Sequence, residues 1–193
     1  VFANGRLTYR PRELNDAMSA DIYRRYIEML DGEKMYFVAS DIKKFDAYKT
    51  SLDDAIKSRQ LDPVFDIFQT YQKRFTQRIA YARSLLNTPF DFSSKETWAY
   101  ERKDAQWAAN EAELNDVWRK SVKNDVLRLK LAGRTPEEII KTLDKRYAQQ
   151  AERSNELRGA DAFEFFMNAY TLSIDPHSSY MSPRSHENFM MQM

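Results

Sequence analysis

Between Asp62 and Pro89, apolar side chains recur at Val64, Phe68, Tyr71, Phe75, Ile79, Ala82 and Leu86. Steps of three and four residues sustained over roughly six turns put all seven on one side of an α-helix and are incompatible with the two-residue period of a strand. Asp62-Pro63 supplies the start, an N-cap followed by proline at the first helical position, where its missing N–H loses nothing. Thr88-Pro89 supplies the stop, because a proline ring bars the preceding residue from helical geometry. A helix of this length needs partners for its apolar face. With only 4 glycines and 6 prolines in 193 residues, the rest of the chain has few places to break regular structure.

Helical spacing recurs on both sides. An opening helix begins near Asn15 or Ser19, carries Ile22, Tyr23, Tyr26, Ile27 and Leu30, and stops at Asp31-Gly32. Met35-Tyr36-Phe37-Val38 fits either a short strand or a packed extended link. Asp41 then caps a short helix bearing Ile42, Phe45 and Tyr48. From Asp91 to Ala109 the periodicity weakens. The expectation there is an ordered loop with one short helical piece, pinned by Trp98, Tyr100 and Trp107.

Asn110 with Glu113 has capping-box spacing and opens a helix through Leu114, Val117, Trp118, Val122, Val126 and Leu129, with Gly133 as its C′ residue. Thr135-Pro136-Glu137-Glu138 combines an N-cap, proline at N1 and glutamate at N3. That second helix runs through Ile139, Ile140, Leu143, Tyr147 and Ala151 and stops at Gly159. So short a link predicts an antiparallel helical hairpin. A last helix opens near Asp161 and carries Phe163, Phe166, Met167, Tyr170 and Ile174. The fold class is all-α: a multi-helix bundle without repeats, containing helical hairpins and leaving through an extended C-terminal connector. Residues 1–174 form the helical domain and 175–193 the connector.

The connector carries the most specific string, Asp175-Pro176-His177-Ser178-Ser179-Tyr180-Met181-Ser182-Pro183-Arg184. Two prolines bound it, and Tyr180 and Met181 are the expected anchors to the core. Asp175, His177 and the nearby serines offer the residue types of a hydrolytic triad. A triad, however, needs a line of hydrogen bonds from nucleophile to base to acid. A proline-fixed Asp two residues from His is instead the pattern of an Asx-turn. His177 and His186, with Asp175 and Glu187, lack a third zinc ligand at a recognisable spacing, so no metal or other cofactor is expected. Trp98 and Trp107, in the least regular stretch, are the candidate interaction surface, weighed against a purely structural role in plugging that loop onto the helices.

Charge excludes further classes. Thirty Lys and Arg stand against 29 Asp and Glu, which gives no field to draw nucleic acid. Without cysteine, disulfides and thiolate metal sites are ruled out. No stretch approaches the ~20 apolar residues of a transmembrane helix, and Val1–Arg6 lacks the layout of a secretory signal.

The terminal string, with Phe189 downstream, resembles the one that links the N-terminal helical domain of tail-specific proteases to a PDZ domain and a protease core. Further similar segments are Phe37-Val38-Ala39-Ser40-Asp41, Asn110–Asn115 with Trp118, Leu127–Gly133, and Arg146-Tyr147. This resemblance implies a periplasmic serine-type endopeptidase with a Ser/Lys dyad that acts on protein substrates from their C-termini. It further implies that no dyad residue falls within this chain, that the signal sequence is not part of it, and that its partners are the PDZ and protease domains and an adaptor lipoprotein. The alternative is a free-standing helical adaptor, marked by an exposed apolar groove. A remoter one is a hydrolase using His177.

Overall fold

The computed structural model describes residues 12–191, without the side chains of residues 184, 185 and 188; Val1–Arg6 lies outside them. Among the described residues the protein is all-α. Its helices are α1 (Asp16–Asp31), α2 (Ala39–Phe45), α3 (Leu52–Ser58), α4 (Asp62–Leu85), α5 (Glu111–Leu131), α6 (Pro136–Glu156), α7 (Gly159–Ile174) and α8 (Pro183–Met191). The chain divides into two compact units. Unit 1 draws its described residues from Val1–Leu30, Lys43–Gln69 and Leu157–Met193; unit 2 consists of Asp31–Ile42 and Thr70–Glu156.

In unit 1, Asn15 caps α1 by accepting the Met18 N–H at 3.1 Å. Ser19, the other expected cap, is buried one turn further on. Its hydroxyl donates to the Lys49 carbonyl and accepts the Leu52 N–H, both at 2.9 Å, which ties α1 to the start of α3. The α1 stripe, Ile22, Tyr23, Tyr26, Ile27 and Leu30, is buried as its spacing requires. Tyr26 meets the edge of Phe166 at 5.8 Å, and its hydroxyl donates to the Val64 carbonyl at 3.1 Å. Phe45, Leu52, Ile67 and Met167 are likewise buried in this unit.

Unit 2 has a continuous core. Ile79, Ala82 and Leu86 from the α4 end join Leu114, Trp118 and Val122 from α5, and Ile139, Leu143 and Tyr147 from α6. Met35–Val38 is a bent link, neither extended nor a strand, with one parallel bridge, Val38 to Ala108. Trp118 Nε1 donates to the Met35 carbonyl at 2.5 Å. Burial of so large a ring is compatible with its N–H only because this acceptor is supplied. Arg74 makes a fork to Asp41 at 2.8 and 3.0 Å and also pairs with Glu111; Arg78 reaches Glu111 at 2.8 Å. This polar set joins α2, α4 and α5 beside the apolar core.

Most of the capping chemistry is as the sequence predicts. Asn110 Oδ1 accepts the Glu113 N–H at 3.0 Å, although Glu113 returns the bond to Ala109 and not to the cap residue itself. Thr135 and Glu138 form both halves of a capping box. Gly133 has φ +79°, the left-handed conformation its C′ position demands. Asp125 accepts from the Tyr147 hydroxyl at 3.1 Å and pairs with Arg146, so α6 doubles back along α5 as a hairpin.

Four expectations need correction. No helical piece forms between Asp91 and Ala109; ion pairs and ring contacts order that loop instead. Gly159 does not stop α6, which ends at Glu156; it opens α7, where Asp161 accepts the Arg158 N–H at 2.6 Å. Asp41 lies in the first turn of α2 and accepts the Val38 N–H from there, so Val38 and not Asp41 is the cap residue. Ser182-Pro183 is not a second break: it is the N-cap and first residue of α8, the pairing that favours helix initiation.

Candidate functional site

Unit 1 carries the connector. Asp175, extended at the end of α7, accepts the His177 N–H at 3.1 Å and the Ser178 hydroxyl at 2.8 Å. Those two bonds, the backbone one first, hold its carboxyl below the ordinary carboxylate range. Asp175 therefore works as a turn cap. His177 meets it through the backbone, its side chain faces solvent, and the Ser178 hydroxyl donates its hydrogen bond to the carboxylate. Nothing here forms the line from nucleophile to base to orienting acid that acyl transfer needs. Among the described residues, no group of three or more His, Asp or Glu is placed to hold a metal ion.

Beyond the turn, the Asn168 side chain of α7 grips the connector. Asn168 Oδ1 accepts the Tyr180 N–H at 2.8 Å, and its Nδ2 donates to the Tyr180 carbonyl at 3.0 Å. A side-chain amide thus completes the backbone pairing that an extended segment would otherwise seek from a neighbouring strand. The Tyr180 ring meets Phe163 edge-on at 5.7 Å. Met181, the other expected anchor, is 44% exposed. Ser182 is buried, and Pro183 follows at the start of α8. On α8, Phe189, Met190 and Met191 are 50%, 57% and 77% exposed.

Unit 2 carries the tryptophans. Trp107 is half-buried, with its edge toward Phe37 at 6.1 Å and the Lys34 ammonium 5.4 Å from its ring centre. Trp98 lies under the Arg102 guanidinium at 5.7 Å and lines a cleft with Phe92, Glu96 and Lys123. Glu96 fastens the loop to α5 through Arg119 and Lys123, each at 2.5 Å. Those bonds, the Arg119 one first, hold its carboxyl down to about 2. Both tryptophans are engaged in contacts within their own unit; Tyr100, 65% exposed, is the loop aromatic that faces solvent most openly.

The sequence does not mark Asn168, and it marks Asp31 only as part of the Asp31-Gly32 helix stop. Nothing in the pattern marks Asn168, a polar residue on a helix whose partner lies in an irregular segment. Asp31 did leave a signal: an acid as the last residue of α1 opposes the helix dipole, which asks for a compensating role. It accepts the N–H groups of Met35, Tyr36 and Phe37 at 2.7, 3.0 and 2.8 Å.

This helical body with an extended exit agrees with comparison to known proteins. The profile for the tail specific protease N-terminal domain matches residues 5–184. The chain belongs to that family. The matched region ends just inside α8, so it takes in both units and the connector that Asn168 holds. A tail-specific protease of Haemophilus influenzae is 36% identical over 191 residues, which cover 97% of this chain and 28% of that protein. The tail-specific protease N-terminal domain described here thus spans little more than a quarter of the length of that relative.

Proposed function

We propose that this chain is the non-catalytic N-terminal helical domain of a periplasmic, serine-type tail-specific protease whose Ser/Lys dyad lies in a later domain. In this reading it scaffolds the PDZ and protease core, shapes the access of protein substrates that are degraded or trimmed from their C-termini, and offers a docking face to an adaptor lipoprotein. The observation that carries the reading is the family match over both units, together with the 28% share of the relative's length. The use of Asp175 as a cap for the His177 N–H and the Ser178 hydroxyl supports a structural role for that string. The exposed apolar residues of α8 support continuation into a packed neighbour, because exposed phenylalanine and methionine clustered on one short helix seek cover.

The test is removal of residues 1–174 from the full-length protease. Hydrolysis of a small ester is expected to persist, while cleavage of a folded protein ending in an apolar tail slows or loses selectivity. Unchanged cleavage of the folded protein would contradict the scaffold role. Fractionation of cells expressing the full-length protein checks the compartment, with recovery in the periplasm expected.

A further inference from the structure

A second feature of unit 2 lies away from the connector. Phe90 and Phe92 from the α4–α5 loop, Val126 from α5, and Ile139 and Ile140 from α6 line an open cleft of about 390 Å³. That volume falls within the ~300–1,000 Å³ of ligand-binding clefts. Ile140 is 47% exposed at its edge, although a core-facing stripe on α6 is already complete with Ile139, Leu143 and Tyr147. The cleft therefore presents apolar surface that the unit's own packing does not use.

Its charge is one-sided. The two charged residues lining it are Lys130 and Arg134, and no acid lines it. The Lys130 ammonium sits 5.0 Å from the centre of the Phe92 ring, and it makes no ion pair among the described residues. Lys123 also approaches Phe92, at 5.6 Å, but is committed to Glu96. Arg134 faces Glu138 only at 3.8 Å, with both side chains more than half exposed, a pairing that solvent largely screens. An apolar floor under two uncompensated cations selects a complementary occupant.

We infer that this cleft docks a segment of a partner protein that presents apolar side chains beside aspartate or glutamate. The apolar side chains fill the space over Phe90, Phe92 and Ile140, and the carboxylates meet Lys130 and Arg134. This assignment stands on the cleft alone and does not depend on the protease reading.

Fluorescence anisotropy of the chain with two labelled amphipathic peptides tests it. In one peptide leucines alternate with glutamates at helical spacing; in the other each glutamate is replaced by lysine. The glutamate peptide is expected to bind saturably and to weaken with added salt. Lys130→Glu with Arg134→Glu, and separately Ile140→Asp, should each weaken it by about tenfold or more. All three positions are exposed, and a thermal melt confirms that the variants fold. Equal binding of the lysine peptide, or variants without effect, would overturn the proposal. So would sedimentation showing a dimer that Ile140→Asp dissolves, which would make a second copy the occupant.

Discussion

Asp31 and Asp175 perform the same task in different surroundings. Each stands where a helix ends and gathers hydrogen bonds from the residues that follow. Asp31 is buried, 3% exposed, and holds three backbone N–H groups. Asp175 is far more accessible and holds one backbone N–H and one hydroxyl. Burial pushes the Asp31 carboxyl up to about 6, against the pull of its three donors and of Lys34, whereas Asp175 is held below the usual range. At Asp31 the cost of desolvating the charge outweighs its hydrogen bonds, whereas at the more accessible Asp175 the hydrogen bonds prevail.

The largest expected effect breaks the buried member of the pair. Asp31→Ala leaves three N–H groups without their acceptor, that of Phe37 fully enclosed, and should cost about 3 kcal/mol or more in urea unfolding at neutral pH. A loss under about 1 kcal/mol would show that water replaces the carboxylate at little cost. Next comes pH. The folded-state value of Asp31 lies above the ordinary aspartate value of 3.8, so the folded state holds the proton more tightly. Stability should therefore fall as pH rises between about 4 and 6, by on the order of 2–3 kcal/mol. Asp31→Asn should remove that slope. Asp175 has the opposite sign: its contribution is present above about pH 4 and is lost as pH falls below it. Unfolding curves of the wild type and Asp175→Asn from pH 3 to 7 separate the two.

Asn168→Ala sharpens the contrast on the connector side. It removes both bonds to Tyr180, and about 1–2 kcal/mol of stability should go with them. Hydrogen exchange should show the Tyr180 amide losing protection while the α5–α6 hairpin keeps its own. Asp175→Ala should have the smallest effect of the set at neutral pH, because water can reach the turn it caps.

Local chemistry was legible in the sequence wherever a residue's neighbours along the chain complete its role. Asn110, the Thr135–Glu138 box and Gly133 are of this kind, and so are the stripes of α1, α4 and α7. Roles completed across the fold were hidden. Ser19 has the chemistry of a cap, yet its partners are Lys49 and Leu52. α3 went unpredicted because seven residues, with only Leu52, Ala55 and Ile56 apolar and buried, are too few to establish a period. The pattern alone does not give the sign of φ, so it does not tell a glycine that ends one helix from a glycine that opens the next, and Gly159 lacks the left-handed conformation of a C′ residue. At the candidate site, the turn chemistry of Asp175 could be read directly. The grip of Asn168 on Tyr180 could not, since it joins two segments with unrelated local patterns.

If this chain is the non-catalytic domain proposed above, its Asp175-His177-Ser178 string serves as a turn, with Asp175 capping the His177 N–H and the Ser178 hydroxyl. Incubation of the purified chain, beside its His177→Ala variant, with a protein ending in an apolar tail tests it most directly. No cleavage by either is expected. Cleavage by the wild-type chain that disappears in His177→Ala would contradict it.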